Sequence, residues 1–194
     1  MAGLAAQWTA TDVDFKGRPD GAEVESFEAG AYMSYGDTRL YVNANASVIW
    51  HEVDVNRFTP SGQSFGEYDG TTLSAFAEVG KTFETPDVRI QPFLAVSYSH
   101  LETNDYSETG TGTRLNISGS EFDSLKSIVG ARLGYPIEME SGRKVVPEFR
   151  LAWAHEFMDD QASFVATIQG QQPVPTIVRG EKFSRDTVIV GAGI

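Results

Sequence analysis

The chain has 194 residues, with 27 acidic side chains against 15 basic ones and no cysteine. A formal charge of −12 argues against nucleic acid, whose phosphates demand Lys and Arg, and against docking on an anionic membrane surface. Without cysteine there is no disulfide scaffold and no thiolate metal site, and no apolar run approaches the ~18 residues of a membrane helix.

Alternation with a period of two predicts strands at Leu4–Val13, Val24–Tyr35, Thr38–Val53, Thr71–Phe83, Val88–Leu101, Phe122–Ile137, Lys144–Phe157 and Thr187–Ile194. A shorter extended piece, Thr113–Ser118, precedes the sixth. The stretch from Leu40 to Trp50 is the clearest: even positions read Leu, Val, Ala, Ala, Val, Trp and odd positions Tyr, Asn, Asn, Ser, Ile. About 9–11 tilted residues also carry a strand across a bilayer, whereas strands of soluble proteins average ~5–6 residues. The connections alternate in expected length. Gly36-Asp37, Thr85–Asp87 and Glu138–Arg143 are short; Asp14–Glu23, Asp54–Gly70, Glu102–Glu121 and Met158–Asp186 are long and polar. Short turns at one end and long loops at the other is the layout of an outer-membrane barrel. The reading is therefore all-β: an antiparallel up-and-down transmembrane β-barrel, with about 8 strands present, as a single domain over residues 1–194. The opening Met1–Ala6 lacks the charged start and apolar core of a signal peptide.

Parity sorts the side chains. One face collects Phe27, Ala29, Ala31, Met33, Leu73, Ala75, Ala77, Val79, Leu94, Val96, Val129, Leu151 and Val190, without a charge. The candidate aromatic girdle on this face is Tyr35, Trp50, Tyr98, Tyr135 and Trp153. The opposite, candidate lumen face holds Glu28, Arg39, Asn43, Asn45, Glu78, Lys81, Arg89, Lys126, Arg132, Glu148 and Arg150. Mixed signs there predict a salt-bridged, hydrated interior. Gly30, Gly80, Gly130, Gly134, Gly191 and Gly193 share that face with Tyr32, Tyr41, Phe76 and Phe93, which predicts rings lying over glycines on neighbouring strands. The rival reading of the same alternation is a half-buried soluble sheet, a ligand-binding module such as a lectin-like sandwich or lipocalin-type barrel.

Signals for catalysis are weak. The histidines are His51, His100 and His155, and no Gly-x-Ser-x-Gly elbow occurs. Thr109–Thr113 is glycine-rich but lacks the helix and lysine of a phosphate loop. Asp159-Asp160 is a poor cation site, and no catalytic, metal or cofactor residue is assigned.

Several stretches, in order, carry a family resemblance: Gly3–Ala6 leading into Thr11–Phe15; Ala29-Gly30-Ala31-Tyr32 with Tyr35; Leu40-Tyr41-Val42; Gly80 through Phe83 before Ile90–Phe93; Tyr106, Glu108 and Gly110 into Leu115; Ser124-Leu125 to Gly130–Arg132; Val146-Pro147; Ala152–Phe157; and Gly191-Ala192-Gly193. Together they resemble the C-terminal translocator β-domain of monomeric autotransporters of Gram-negative bacteria. The resemblance implies a 12-stranded barrel in the bacterial outer membrane, surrounded by outer-membrane lipid. An N-terminal passenger is exported with its help, a helical linker passes through the lumen, and the barrel-assembly machinery acts as a partner. The eight strands would correspond to strands 3 to 10, making the chain a fragment without the first and last strands. In some relatives lumen carboxylates and asparagines cut the passenger; Glu28, Glu78, Asn43 and Asn45 match that type, while the cleaved linker is missing.

Overall fold

The computed structural model of the chain describes residues 1–37, 39–85, 87–139 and 144–194. Eight long strands form one antiparallel sheet in sequence order: β1 Ala2–Asp14, β2 Gly21–Gly36, β3 Leu40–Thr59, β4 Gly62–Lys81, β5 Arg89–Thr103, β6 Ser120–Gly134, β7 Glu148–Glu156 and β8 Asp186–Gly193. Each pairs with its sequence neighbour, which is the up-and-down connectivity that consecutive hairpins produce. Among the described residues there is no helix, and β1 and β8 are the two edges of the sheet.

Register follows parity. Ala44 stands opposite Met33 and Ala77, so small apolar residues meet on one face. Asn43 stands opposite Ser34 and Glu78, so polar ones meet on the other.

Two expectations about connections are corrected. Asp54–Gly70 is not a loop: β3 and β4 each run 20 residues and turn at Pro60-Ser61, with Thr59 paired to Gly62. Gly62 takes a φ of +139°, which glycine tolerates without the clash a side chain would bring. Asp14–Glu23 is shorter as a connection than expected: Asp14 and Gly21–Glu23 belong to strands, and the turn covers residues 15–20. The asymmetry between the two ends thus lies in strand extension as well as in loop length. Of the short turns, Gly36-Asp37 is set by Asp37, whose Oδ1 accepts the backbone N–H groups of Leu40 at 2.8 Å and Arg39 at 2.7 Å. Those bonds, Leu40's first, hold its carboxyl below the usual range. Thr38, predicted as a strand start, and most of the Glu138–Arg143 turn lie outside the described residues.

The sixth and seventh predicted strands are each interrupted. β6 stops at Gly134 before Pro136, and β7 starts at Glu148 after Pro147. Proline has no N–H to give a ladder, and Ile137–Glu138 pairs with Lys144–Val145 as a separate ladder beyond the two prolines.

The long connections are folded too. Leu115–Ile117, within the expected extended piece, joins Tyr106–Ser107, Ser163–Ile168 and Thr176–Arg179 in a four-stranded sheet beyond the ends of β5 to β7. Arg57 near the tip of β3 ties that cap down. Its Nη2 and Nε donate to Glu108 at 2.6 and 3.0 Å, and Glu108 is almost wholly buried. The Tyr106 ring stacks on Tyr68 with centroids 4.8 Å apart. Burial, together with the nearby Tyr68 and Glu108, pushes the Tyr106 hydroxyl up to about 12.

Candidate functional site

The sheet has one face that shelters side chains and one that exposes them. Phe93, Ala95, Ile128, Ala152 and Ala154 are buried on the sheltered face. Their chain neighbours Leu94, Val129, Leu151 and Trp153 point the other way and are about half exposed. A large apolar surface of this kind means an apolar surrounding or a partner.

On the sheltered face the polar residues are organised around Glu78 and Arg132. Glu78 on β4 is only 5% exposed. Arg132 Nη2 on β6 donates to both its oxygens, at 2.9 and 3.0 Å, although β5 lies between the two strands. Tyr41 on β3 donates its hydroxyl to Glu78 Oε1 at 2.8 Å and accepts from Arg132 Nη1 at 2.6 Å. Arg132 Nη1 also reaches Gln91 Oε1 at 3.3 Å, and Gln91 donates onward to Thr82 at 2.9 Å. One network therefore crosses four strands. A buried carboxylate survives only with this kind of pairing.

Rings cover glycines at two points of the network. The Tyr41 side chain lies over Gly80, its cross-strand partner, so closely that a Cβ there would overlap the ring. Phe93 lies over Gly130, leaving its Cζ 2.8 Å from where a Cβ would sit. Tyr32 covers Gly3, a pairing the sequence did not suggest. Gly30 is instead crowded by the backbone of Ala46 and by Ser47, while Gly134, Gly191 and Gly193 have no ring above them.

Glu28, Asn43, Asn45, Arg89, Lys126, Glu148 and Arg150 occupy the parity of Glu78 and Arg132. Glu28 accepts from Gln7 Nε2 at 2.6 Å, and Lys126 stands 3.9 Å from Glu156. Arg39 lies in the exposed turn before β3. Lys81 departs from its expected face: it is paired with Leu40 and two residues from Val79, on the exposed apolar row, with its ammonium 5.1 Å from the Phe83 ring centroid. The expectation had carried the sign of the charge over the parity of the strand; at a turn end a lysine stem can lie along apolar surface with its head in water.

On the exposed face Trp50 stacks on Phe27 at 5.9 Å, and Trp8 continues that row on β1. Tyr98 donates to Asp123 at 2.9 Å, and Trp153 Nε1 donates to Asp186 at 3.1 Å, both at upper strand ends. Tyr35 and Tyr135 are exposed near the opposite, short-turn end. Trp8 is absent from the expected girdle, although Gln7-Trp8-Thr9-Ala10-Thr11 keeps the period of two that places it on this face.

Beyond Trp50 the polarity of β3 inverts. From Leu40 to Trp50 the exposed positions are apolar; from there they are Glu52 and Asp54, while Val53 turns inward and is buried. The partners do the same. Glu25, Glu52 and Asp69 stand in one cross-strand row, and Glu23, Asp54 and Glu67 in the next. These acidic rows were hidden by reading Asp54–Gly70 as a loop. Their signal was present as a period of two running on in Glu52-Val53-Asp54-Val55 with its sense reversed.

His51 sits between Ser26 Oγ at 2.8 Å and Thr72 Oγ1 at 2.9 Å, with a hydroxyl where a carboxylate would orient an imidazole. His100 and His155 face Asp123 and Asp186 at 3.0 and 2.9 Å at the upper rim of the exposed face.

Comparison with known proteins agrees with this architecture. The family model described as Autotransporter beta-domain matches residues 1–194. The chain is 24% identical over 162 residues to the "Extracellular serine protease" of Serratia marcescens, covering 80% of this chain but 15% of that protein. Its fold is similar to the crystal structure of the beta domain of the Bordetella autotransporter Brka, with a TM-score of 0.65 and 21% identity over 98% of this chain and 80% of that one. The chain belongs to the autotransporter β-domain family, the outer-membrane β-barrels of type V secretion in Gram-negative bacteria, which serve the export of a linked passenger.

Proposed function

We propose that residues 1–194 form a single translocator-barrel domain, part of a larger barrel, supporting export of a passenger carried on its N-terminal side and outside this sequence. In this reading the exposed apolar face touches lipid tails and the face bearing Glu78 and Arg132 lines the lumen. The assembly machinery of the outer membrane inserts it. No chemistry is assigned to these residues. The protease activity named in the Serratia relative belongs to a protein of which this chain spans about 15%.

The observation that carries the reading is the inversion at Trp50. Leu40 to Trp50 covers about 33 Å along the strand at ~3.3 Å per residue. At a tilt of ~40° that becomes about 25 Å along the membrane normal, the height of the apolar band of an outer-membrane barrel. Aromatic rings mark its upper limit and carboxylates follow at once, where headgroups and water begin. A soluble sandwich or lipocalin-type barrel has no reason to change the sense of its alternation within one strand.

The test is expression of the complete natural protein in a Gram-negative host. The expected result is fractionation with outer membranes, a shift in gel mobility on boiling that reports a folded barrel, and a passenger cut by protease added outside the cell. A protein that is monomeric in buffer without detergent would favour the soluble binding module.

A further inference from the structure

The cap is held from the inside of the sheet. β3 and β4 pair without a break from Leu40–Lys81 to Thr59–Gly62, so parity runs unaltered to their tips. Arg57, Ser64 and Tyr68 therefore share the sheltered face with Glu78, while Phe58 and Phe65 stay on the exposed one. Arg57 and Tyr68 are the residues that hold the cap, through Glu108 and Tyr106. A Cβ on Gly66, also on the sheltered face, would overlap the Tyr106 ring, so a missing side chain makes room for the contact.

The cap also spans strands. Gln169, in the connection between β7 and β8, donates to the backbone oxygens of Glu108 and Leu115 at 2.8 and 3.0 Å. Arg57 Nη2 donates to the Thr113 oxygen at 2.8 Å. Chain that leaves β7 thus ends against residues gripped by β3, four strands away, or about 19 Å along the wall at ~4.8 Å per strand. The sheet curves toward this face, as the reach of Arg132 over β5 to Glu78 shows. A link between distant strands on the inside of a curved sheet is a chord across the hollow. The grip is concentrated at Glu108, whose carboxylate takes both Arg57 bonds and the Leu115 N–H at 2.8 Å. A buried ion pair that loses one charge is strongly weakened.

We propose that the cap is a lid over the outer mouth of the lumen, latched by the Arg57–Glu108 pair and the Tyr68–Tyr106 stack, and that releasing the latch admits large solutes from outside. The inference rests on the translocator reading, which makes the sheltered face a lumen. The rival is a brace that only stiffens the tall β3–β4 hairpin.

The experiment uses the complete natural protein in intact cells, with a bulky, membrane-impermeant maleimide added outside. One cysteine is placed at a time in this cysteine-free chain. Val53→Cys lies at the buried partner of Tyr68, beneath the cap; Asn45→Cys lies eight residues further down the same face, about 26 Å along the strand at ~3.3 Å per residue. Each is labelled alone, with Glu108→Gln and with Tyr106→Leu, and heat-modifiability confirms that each barrel is folded. Glu108→Gln should speed labelling at both 45 and 53 by about ten- to a hundredfold, and Tyr106→Leu by a smaller factor. A brace would let 53 respond alone. The proposal is overturned by no acceleration at 45 in either variant, whatever 53 does. It is overturned too if, without a latch variant, the bulky reagent reaches 45 as fast as a small maleimide, each relative to unfolded protein. The translocator reading fails separately, if the wild-type protein itself is absent from the outer membrane or displays no passenger.

Discussion

Ala44 lies near the middle of the apolar band, and an arginine there tests the assignment of faces. It is four residues past Leu40 and six before Trp50, on the exposed row between Met33 and Ala77. At ~3.3 Å per residue and a tilt of ~40°, its Cα is about 10 Å above the lower end of a band about 25 Å tall. A lipid-facing arginine at that depth costs about 2–4 kcal/mol. Asn43, one residue earlier, points to the other face opposite Glu78, where an arginine joins the Glu78–Arg132 network instead of entering the apolar band. Its replacement by arginine should cost less than that of Ala44. Asp54 is four residues beyond Trp50 and exposed, so arginine there sits about 10 Å above the band and should be nearly neutral. The assay is the fraction of complete protein recovered in heat-modifiable form from outer membranes, followed by denaturant unfolding of the recovered protein. Ala44→Arg should fall well below Asn43→Arg and Asp54→Arg. Equal recovery of all three would refute the face assignment, because no soluble or inverted arrangement orders them this way.

Breaking the central ion pair should be severe. Glu78→Gln leaves the Arg132 guanidinium without its buried counter-charge, and about 3–5 kcal/mol of stability should be lost in denaturant unfolding. Because the pair and Tyr41 act together, a double-mutant cycle of Glu78→Gln with Tyr41→Phe should be strongly non-additive. Gly80→Ala should lower the unfolding midpoint because its Cβ overlaps the Tyr41 ring, and Tyr41→Ala in the same chain should return part of that loss. In the cap, Asp160 is held below the usual carboxylate range, first by its hydrogen bond from Lys182 and then by Arg185. A depressed folded value means that its contribution is complete above the unfolded value of about 3.9 and is lost as pH falls through the folded one. Hydrogen-exchange protection in the segment from 158 to 185, taken relative to the intrinsic exchange rate at each pH, should therefore be unchanged from pH 7 to pH 5 and fall only in stronger acid. Asp160→Asn should remove that acid dependence.

The eight strands, their order and their faces were legible because each strand has two environments, and a period of two records them directly. Leu40 to Trp50 needed nothing more. Errors arose where one of the two environments changed. At Trp50 the exposed side passes from an apolar band to acidic rows while the sheltered side becomes apolar at Val53. A reader expecting one sense of alternation sees polar residues without a pattern and writes a loop. Lys81 failed for a related reason: at a strand end, charge no longer reports which face a residue occupies.

The central network was legible only as a set of types. Mixed charges and glycines on one face implied pairing, but no sequence separation says that Arg132 on β6 reaches across β5 to Glu78 on β4. That reach follows from sheet curvature and from the length of arginine, neither of which has a local signature. Gly80 and Gly130 carry part of the missing information. A strand accepts glycine at a cost, and here each glycine has the ring of its cross-strand partner packed over it. Tyr41 illustrates the consequence: with no side chain at Gly80, its ring lies close against the sheet and its hydroxyl arrives at both Glu78 and Arg132. The glycine is thus part of the polar network although it contributes no polar side chain, and filling that space should move the hydroxyl before it loosens the strand.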